Sequence, residues 1–265
     1  MRLSVITPPA LYYYAGATDY HLIPAHHFQW ENDLGAQIRS FYRFLAQRGD
    51  YIILDNGVTE LGRAMPTEDL FYTARMMQVN EVVLPDVFDD AEGTIESTLT
   101  ALEVLDKEVG PWHPRFMAVV HGKTWEEWEH CYRVFMEEPR IRTIGLPKVM
   151  TRNFGDRVYA LRRVARMPRL SGKEYHCLGV WDDPFEILKL ADEHPWIRGI
   201  DTSYPVMSGV NGVPIDSRAG TQKFQLDEEV TEDSYPEVTL RNISVAIAWA
   251  GYTGKEGERG EKTTD

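Results

Sequence analysis

Arg198-Gly199-Ile200-Asp201-Thr202-Ser203-Tyr204-Pro205-Val206 is the stretch that decides the fold. A short apolar strand ends on a carboxylate, Asp201, and a turn begins at once. In a chain that alternates strands with helices, a parallel barrel places its reactive side chains at such strand C-termini. Four further segments end in the same manner: Tyr51-Ile52-Ile53-Leu54-Asp55-Asn56-Gly57, Val82-Val83-Leu84-Pro85-Asp86, Phe116-Met117-Ala118-Val119-Val120-His121-Gly122 and Thr143-Ile144-Gly145-Leu146-Pro147-Lys148. Tyr51 to Leu54 is a continuous apolar run, as expected of a strand covered on both faces. Three carboxylates, an imidazole and a glycine-bearing turn would then converge on one barrel mouth. The pattern reads as an enzyme.

Outward from these strand ends, the remaining segments supply the alternation. Leu3 to Thr7 reads as a first strand stopped by Pro8-Pro9, and the stretch with Tyr12-Tyr13-Tyr14 as loop. A short second strand is expected within Tyr20 to His26, although Pro24 counts against a strand there. Asp33 to Gln47 has helical spacing at Leu34, Ile38, Phe41 and Leu45, and Gly49 ends it. Further helices are predicted over Pro66 to Met77, Ala91 to Leu105, Phe154 to Met167, Phe185 to Ala191 and Val238 to Trp249. Between the second and third of these, Thr124 and Glu127 form a capping box for a helix whose inner stripe is Trp125, Trp128, Tyr132 and Phe135, a core stripe rather than a base-stacking platform. Strands are predicted at Glu81 to Leu84 and Tyr175 to Val180. Thr202 to Glu237 carries no strong period and reads as a site-covering loop. The fold expected is α/β, a single (β/α)8 TIM-like barrel over residues 1–250, with an open α/β sheet as the alternative. Residues 251–265 are glycine-rich and charged and read as a disordered tail.

A length of 265 residues suits one such barrel, and 43% apolar residues can fill one large core. No apolar run approaches the roughly 20 residues that span a bilayer. The N-terminal apolar stretch is too short for a signal peptide, so a cytoplasmic protein without membrane association is expected. The two cysteines, Cys131 and Cys177, are isolated, which predicts buried thiols and neither a disulfide nor a structural zinc cluster. No His-x-His or comparable ligand pair is read at a strand end, so no metal is expected. Asp89 and Asp90 read as helix caps, and His26, His27, His113 and His194 as surface or loop residues.

The net charge is −13, yet Pro139 to Lys173 holds ten Lys and Arg against the single acid Asp156. That segment flanks a predicted strand end. Arg152, Arg157, Arg162, Arg163 and Arg166 are therefore candidates for contact with a polynucleotide backbone, a solvated helix face being the plainer reading.

In their order along the chain, these motifs resemble the tRNA-guanine transglycosylase superfamily, and within it the small phage and bacterial branch that places 7-deazaguanines in DNA. The resemblance covers roughly Leu3 to Pro205. Leu54-Asp55-Asn56-Gly57 is similar to the family's Asp-Ser-Gly-Gly-Phe-Gln strand end, and Leu84-Pro85-Asp86 to the segment whose aspartate reads the base. Val119-Val120-His121-Gly122 stands where the family has Val-Gln-Gly, and Ile144-Gly145-Leu146 resembles the Gly-Gly-Leu turn. His176-Cys177-Leu178-Gly179-Val180 with Asp183-Pro184 is similar to Leu-Met-Gly-Val-Gly…Pro-Glu-Asp. Ile200-Asp201-Thr202-Ser203-Tyr204-Pro205 resembles the nucleophile segment Phe-Asp-Cys-Val-x-Pro. Three departures stand out: no zinc subdomain can form, His121 replaces a glutamine, and the interval from Asp55 to Asp86 leaves no room for an inserted hairpin. All three point away from tRNA.

The resemblance implies a guanine transglycosylase acting on DNA, exchanging guanine for a 7-deazaguanine such as preQ0. RNA is the alternative polynucleotide, and an idle purine- or nucleic-acid-binding barrel is the reading from another class. Asp201 would be the nucleophile and Asp55 the general acid/base, because base exchange at C1′ needs one carboxylate to trap an oxocarbenium-like centre and a second group to move protons. Asp86 would accept from the guanine N1–H and exocyclic amine. Asn56, His121, Gly122, Gly145, Leu146 and Lys148 complete the expected substrate site, and no cofactor is required.

Overall fold

Eight parallel strands in the order β1-β8-β7-β6-β5-β4-β3-β2 form a nearly closed barrel with interleaved helices. The computed structural model describes residues 1–106, 114–167, 172–180, 183–217 and 223–251. The strands are β1 (Arg2–Val5), β2 (Tyr20–Pro24), β3 (Tyr51–Asp55), β4 (Glu81–Val83), β5 (Arg115–Val119), β6 (Ile141–Pro147), β7 (Glu174–Leu178) and β8 (Gly199–Thr202). The helices are α1 (Ala25–Phe28), α2 (Asp33–Arg48), α3 (Val58–Leu61), α4 (Thr67–Met77), α5 (Ala91–Asp106), α6 (Trp125–Glu137), α7 (Met150–Phe154), α8 (Arg157–Val164), α9 (Glu186–Glu193), α10 (Tyr204–Val210) and α11 (Pro236–Trp249). The (β/α)8 expectation is thus met, including the proline-bearing second strand. Pro24 sits at the last position of β2 and also precedes the first turn of α1, where a missing N–H costs no helix bond.

Local signals account for most element ends. Thr124 and Glu127 form the capping box of α6, and Asp90 accepts from the Gly93 amide at the start of α5. Asn32 caps α2, which ends on left-handed Gly49. The basic stretch from Phe154 departs from expectation. Phe154 is the last residue of α7, Gly155 (φ +83°) breaks the helix, and α8, capped by Asp156 accepting from the Tyr159 amide, runs only to Val164. The tyrosine-rich stretch is a 3₁₀ segment, Pro9–Ala17, rather than loop. Thr202 to Glu237 contains α10, too short and too broken by Pro205 and Gly209 to show a period. The expected tail lies outside the described residues from 252 onward.

Side chains alternate across the barrel wall. One set packs outward against the helices, with Trp128, Phe135 and Cys131 fully buried between α6 and the strands. The inward set includes Tyr20, Leu22, Ile53, Val83, Met117 and Val119. Below these apolar rings lies a charged floor. Arg198 donates to Glu81 (2.5 Å) and Glu174 (2.8 Å), Tyr51 donates to Glu81 (3.1 Å), and Arg115 and Thr143 also bond the two glutamates. The strands carry no continuous ladder between β1 and β2. That seam is bridged by the Leu22 amide donating to Ser4 Oγ at 2.6 Å. Among the described residues no helix is long and apolar enough to cross a membrane.

Candidate active site at the C-terminal mouth of the barrel

Asp55 and Asp201 belong to the inward-facing set of β3 and β8, and both fall at the C-terminal ends of their strands. Asp86 lies three residues past the end of β4. All three line one cavity of about 350 Å³, together with Lys148, Phe88 and Phe224. That volume lies in the range of small-molecule sites. The strand ends read from the sequence are therefore brought together.

Asp201 is buried and held by two fixed donors. Gly179 N–H donates to Oδ2 at 3.0 Å, and His176 Nε2 lies 2.9 Å from Oδ1. The other ring nitrogen of His176 is 2.8 Å from the Tyr20 hydroxyl, which also accepts from Arg198 Nε at 3.1 Å. An arginine can only donate, so the Tyr20 oxygen accepts there and its single proton goes to His176 Nδ1. His176 then presents its Nε2–H to Asp201 Oδ1. Burial raises the Tyr20 phenol far above its usual range, which keeps that proton in place. Gly199 makes the chain possible. A Cβ there would lie 2.6 Å from the Tyr20 ring, which occupies the space a side chain would take.

Asp86 is also braced on both oxygens, by Asn56 Nδ2 at 2.6 Å and His121 Nε2 at 2.7 Å. The Asn56 amide also reaches the Leu84 carbonyl at 2.8 Å, so the β3 and β4 ends are stitched together. A carboxylate has about four acceptor directions, which leaves Asp86 able to accept from a ligand in the cavity. Asp55 differs from both. It is half-buried, and among the described residues its hydrogen bond is from the Gly57 amide at 3.1 Å. Burial drives its carboxyl well above the usual range, and the nearby carboxylates of Glu60, Asp86 and Asp201 push it further.

Several predicted site residues take other places. Asn56 and His121 act through Asp86 and do not line the cavity. Gly145 lies within β6, where a Cβ would meet Leu178 at 3.0 Å and Val119 at 3.1 Å, so its smallness serves packing inside the barrel. Leu146 is core, and Gly122 is buried beside α6, its carbonyl bonded to Asn153 at 3.0 Å. Lys148 does line the cavity, its stem crossing Gly179.

The arginines separate in the same way. Arg152 lines the cavity and pairs with Asp89. Arg157 is 1% exposed and cannot reach a polynucleotide. It donates to Glu186 (2.7 Å) and to the carbonyls of Leu146 (3.0 Å), Leu178 (2.9 Å) and Gly179, clamping the ends of β6 and β7 around the turn that holds Asp201. Arg162 pairs with Glu193, and Arg163 with Glu129 while covering the Trp125 ring. Neither lines the cavity, and Arg166 is exposed in the turn that follows α8. The histidine expectations also need correction. His194 is buried, with Nε2 2.8 Å from the Val158 carbonyl, and His27 is buried beneath the rim. His26-His27 lies in α1, two residues past the end of β2, a ligand-type pair near a strand end. His113 lies outside the described residues.

Tyr20, His176, Arg198 and Glu81 had no functional role in the sequence reading. The available signal was charge on the inward parity of apolar strands: Glu174 and His176 share one face of β7, and Glu81 opens β4. Compared with protein-family models and with curated proteins, the sequence matches none. The functional reading therefore rests on the geometry of the mouth.

Proposed function

We propose that the protein is a guanine transglycosylase that exchanges guanine in DNA for a 7-deazaguanine base of the preQ0 kind. The observation that carries the reading is the pairing of two unlike carboxylates on one cavity: Asp201, locked by His176 and Gly179, and Asp55, pushed toward its protonated form. Carboxyl groups held apart in this way divide naturally into a nucleophile and an acid.

In the first half-reaction an Asp201 oxygen attacks C1′, the C1′–N9 bond breaks, and the Asp55 carboxyl gives its proton to the departing guanine. In the second, N9 of the incoming base attacks C1′, the ester to Asp201 breaks, and Asp55 takes up the proton that N9 loses. Asp86, oriented by Asn56 and His121, accepts from the N–H donors on the base edge. Phe88 and Phe224 offer rings to its faces, and Lys148 and Arg152 offer cations at the mouth. A target base in a duplex must leave its stack to enter the cavity.

The test is mass spectrometry of nucleosides from duplex DNA and from RNA after incubation with the protein and preQ0. Incorporation into DNA is expected. Incorporation into RNA alone would move the substrate to the other polynucleotide, and incorporation into neither, with no guanine released, would remove the reaction.

A further inference from the structure

We propose that His26, His27 and Glu228 form a binding site for a zinc-type divalent metal ion, which fastens the segment after α10 to the barrel rim. The inference does not depend on the reaction proposed above.

The three residues converge from far apart in the chain. His26 Nε2 and His27 Nε2 lie 2.9 and 2.8 Å from the same oxygen of Glu228, and one ligand atom from each residue falls within 4.8 Å of the others. Neighbouring positions on a helical turn point in different directions. Here the two imidazoles nevertheless turn toward one point, with ring centroids 4.4 Å apart and planes at 72°. Two imidazole nitrogens and one carboxylate oxygen are the donor set of many zinc sites, with a fourth position left to water. Tetrahedral bonds of about 2.0–2.1 Å set neighbouring donors about 3.3 Å apart, so a metal requires the N···O distances to open by only about half an ångström.

The surroundings suit a cation. Without a metal, one carboxylate oxygen must serve two imidazoles. Glu60, on α3, interacts electrostatically with both His26 and Glu228, which places a further carboxyl beside the pair. Trp30 packs against both rings at 6.5 and 5.1 Å and gives the site an apolar wall, the kind of shell that limits solvent access.

The site has a structural consequence. Residues 223–226, just before Glu228, form part of the cavity wall. Fixing Glu228 to α1 fixes that wall over Asp201 and Asp55. Joining points some two hundred residues apart in sequence constrains the chain as a cross-link does.

The experiment uses tag-free, full-length protein stripped with chelator and dialysed against zinc. About one zinc per chain is expected, with slower proteolysis between α10 and α11. Glu228→Gln and His26→Gln should each weaken zinc binding by at least about tenfold while leaving the circular dichroism unchanged. Cobalt should give the intense visible bands of a four-coordinate nitrogen–oxygen site, and this measurement decides the matter even where a variant does not fold. Absence of stoichiometric zinc in the wild type overturns the proposal and leaves a hydrogen-bonded latch. Zinc bound equally by both folded variants, or a weak six-coordinate cobalt spectrum, overturns it as well.

Discussion

The ends of β3 and β8 present the same residue type to the same cavity, yet the two aspartates are built into different surroundings. Asp201 is backed by a chain of fixed donors that begins at the charged floor with Arg198 and passes through Tyr20 and His176. Asp55 has one backbone amide and a ring of other carboxylates. Supplying donors favours the anion, and withdrawing solvent among like charges favours the acid. Two side chains of identical chemistry thereby sit in opposite electrostatic surroundings, and neither surrounding is written in the residue itself.

The contrast is most sharply broken at Asp201. Asp201→Asn keeps the shape and removes the nucleophilic charge, so base exchange should fall on the order of 10⁴-fold or more while DNA binding survives. Denaturing gels should lose the covalent protein–DNA band. A band that persists in this variant and maps to Asp55 would reverse the two assignments.

Asp55→Asn should cost about 10²–10⁴-fold, with the wild-type rate falling as pH rises through the raised Asp55 value. The stability signature has a definite sign. Because the folded-state value is raised, the native protein binds more protons than the unfolded chain between the usual carboxylate range and that higher value. Wild-type stability therefore declines as pH rises through this window, and it levels off above it. Asp55→Asn lacks that decline and should gain on the wild type across the same window, as read from denaturant midpoints at a series of pH values.

A smaller effect is expected one step behind Asp201. His176→Asn should lower turnover about 100-fold through misorientation of Asp201, with little change in the apparent affinity for DNA. Tyr20→Phe leaves His176 Nδ1 and Arg198 Nε short of a partner and should destabilise the fold by about 1–3 kcal/mol. Equal kinetics in wild type and His176→Asn would show that Asp201 needs no support from the relay. The least effect is expected at Arg162→Glu with Arg163→Glu, whose guanidiniums are occupied by Glu193 and Glu129. Salt-dependent DNA binding should stay nearly unchanged, and a strong loss would return the outer face of α8 to the nucleic-acid interface.

The barrel was legible because its strands are short apolar runs that stop on polar or turn-forming residues, and because caps such as Thr124 and Asp90 act locally. Asp55, Asp86 and Asp201 were legible for the same reason: position at a strand end is a local property. What the sequence did not reveal depends on contacts between distant segments. Arg157 stands in a basic run and looks like its neighbours, but the carbonyls that surround it come from β6 and β7. Gly145 suggested close approach of a ligand, and the approach is instead that of Val119 and Leu178. His27 and His194 were misread because burial of a histidine is decided by what packs on it. The break between α7 and α8 was signalled by Gly155-Asp156, a turn and cap that the surrounding helical spacing obscured.

The seam between β1 and β2 gives the barrel a direction of easiest opening. One serine hydroxyl stands there in place of a row of amide–carbonyl bonds, so its backbone amides should exchange with heavy water before those of β5 and β6. Ser4 lies in register with Asp201, and Tyr20 occupies the other side of the same seam. Loosening along this line would widen the mouth beside Asp201 while the opposite wall of the barrel stayed rigid, giving a bulky polymer a side entrance without unfolding the cavity it must enter.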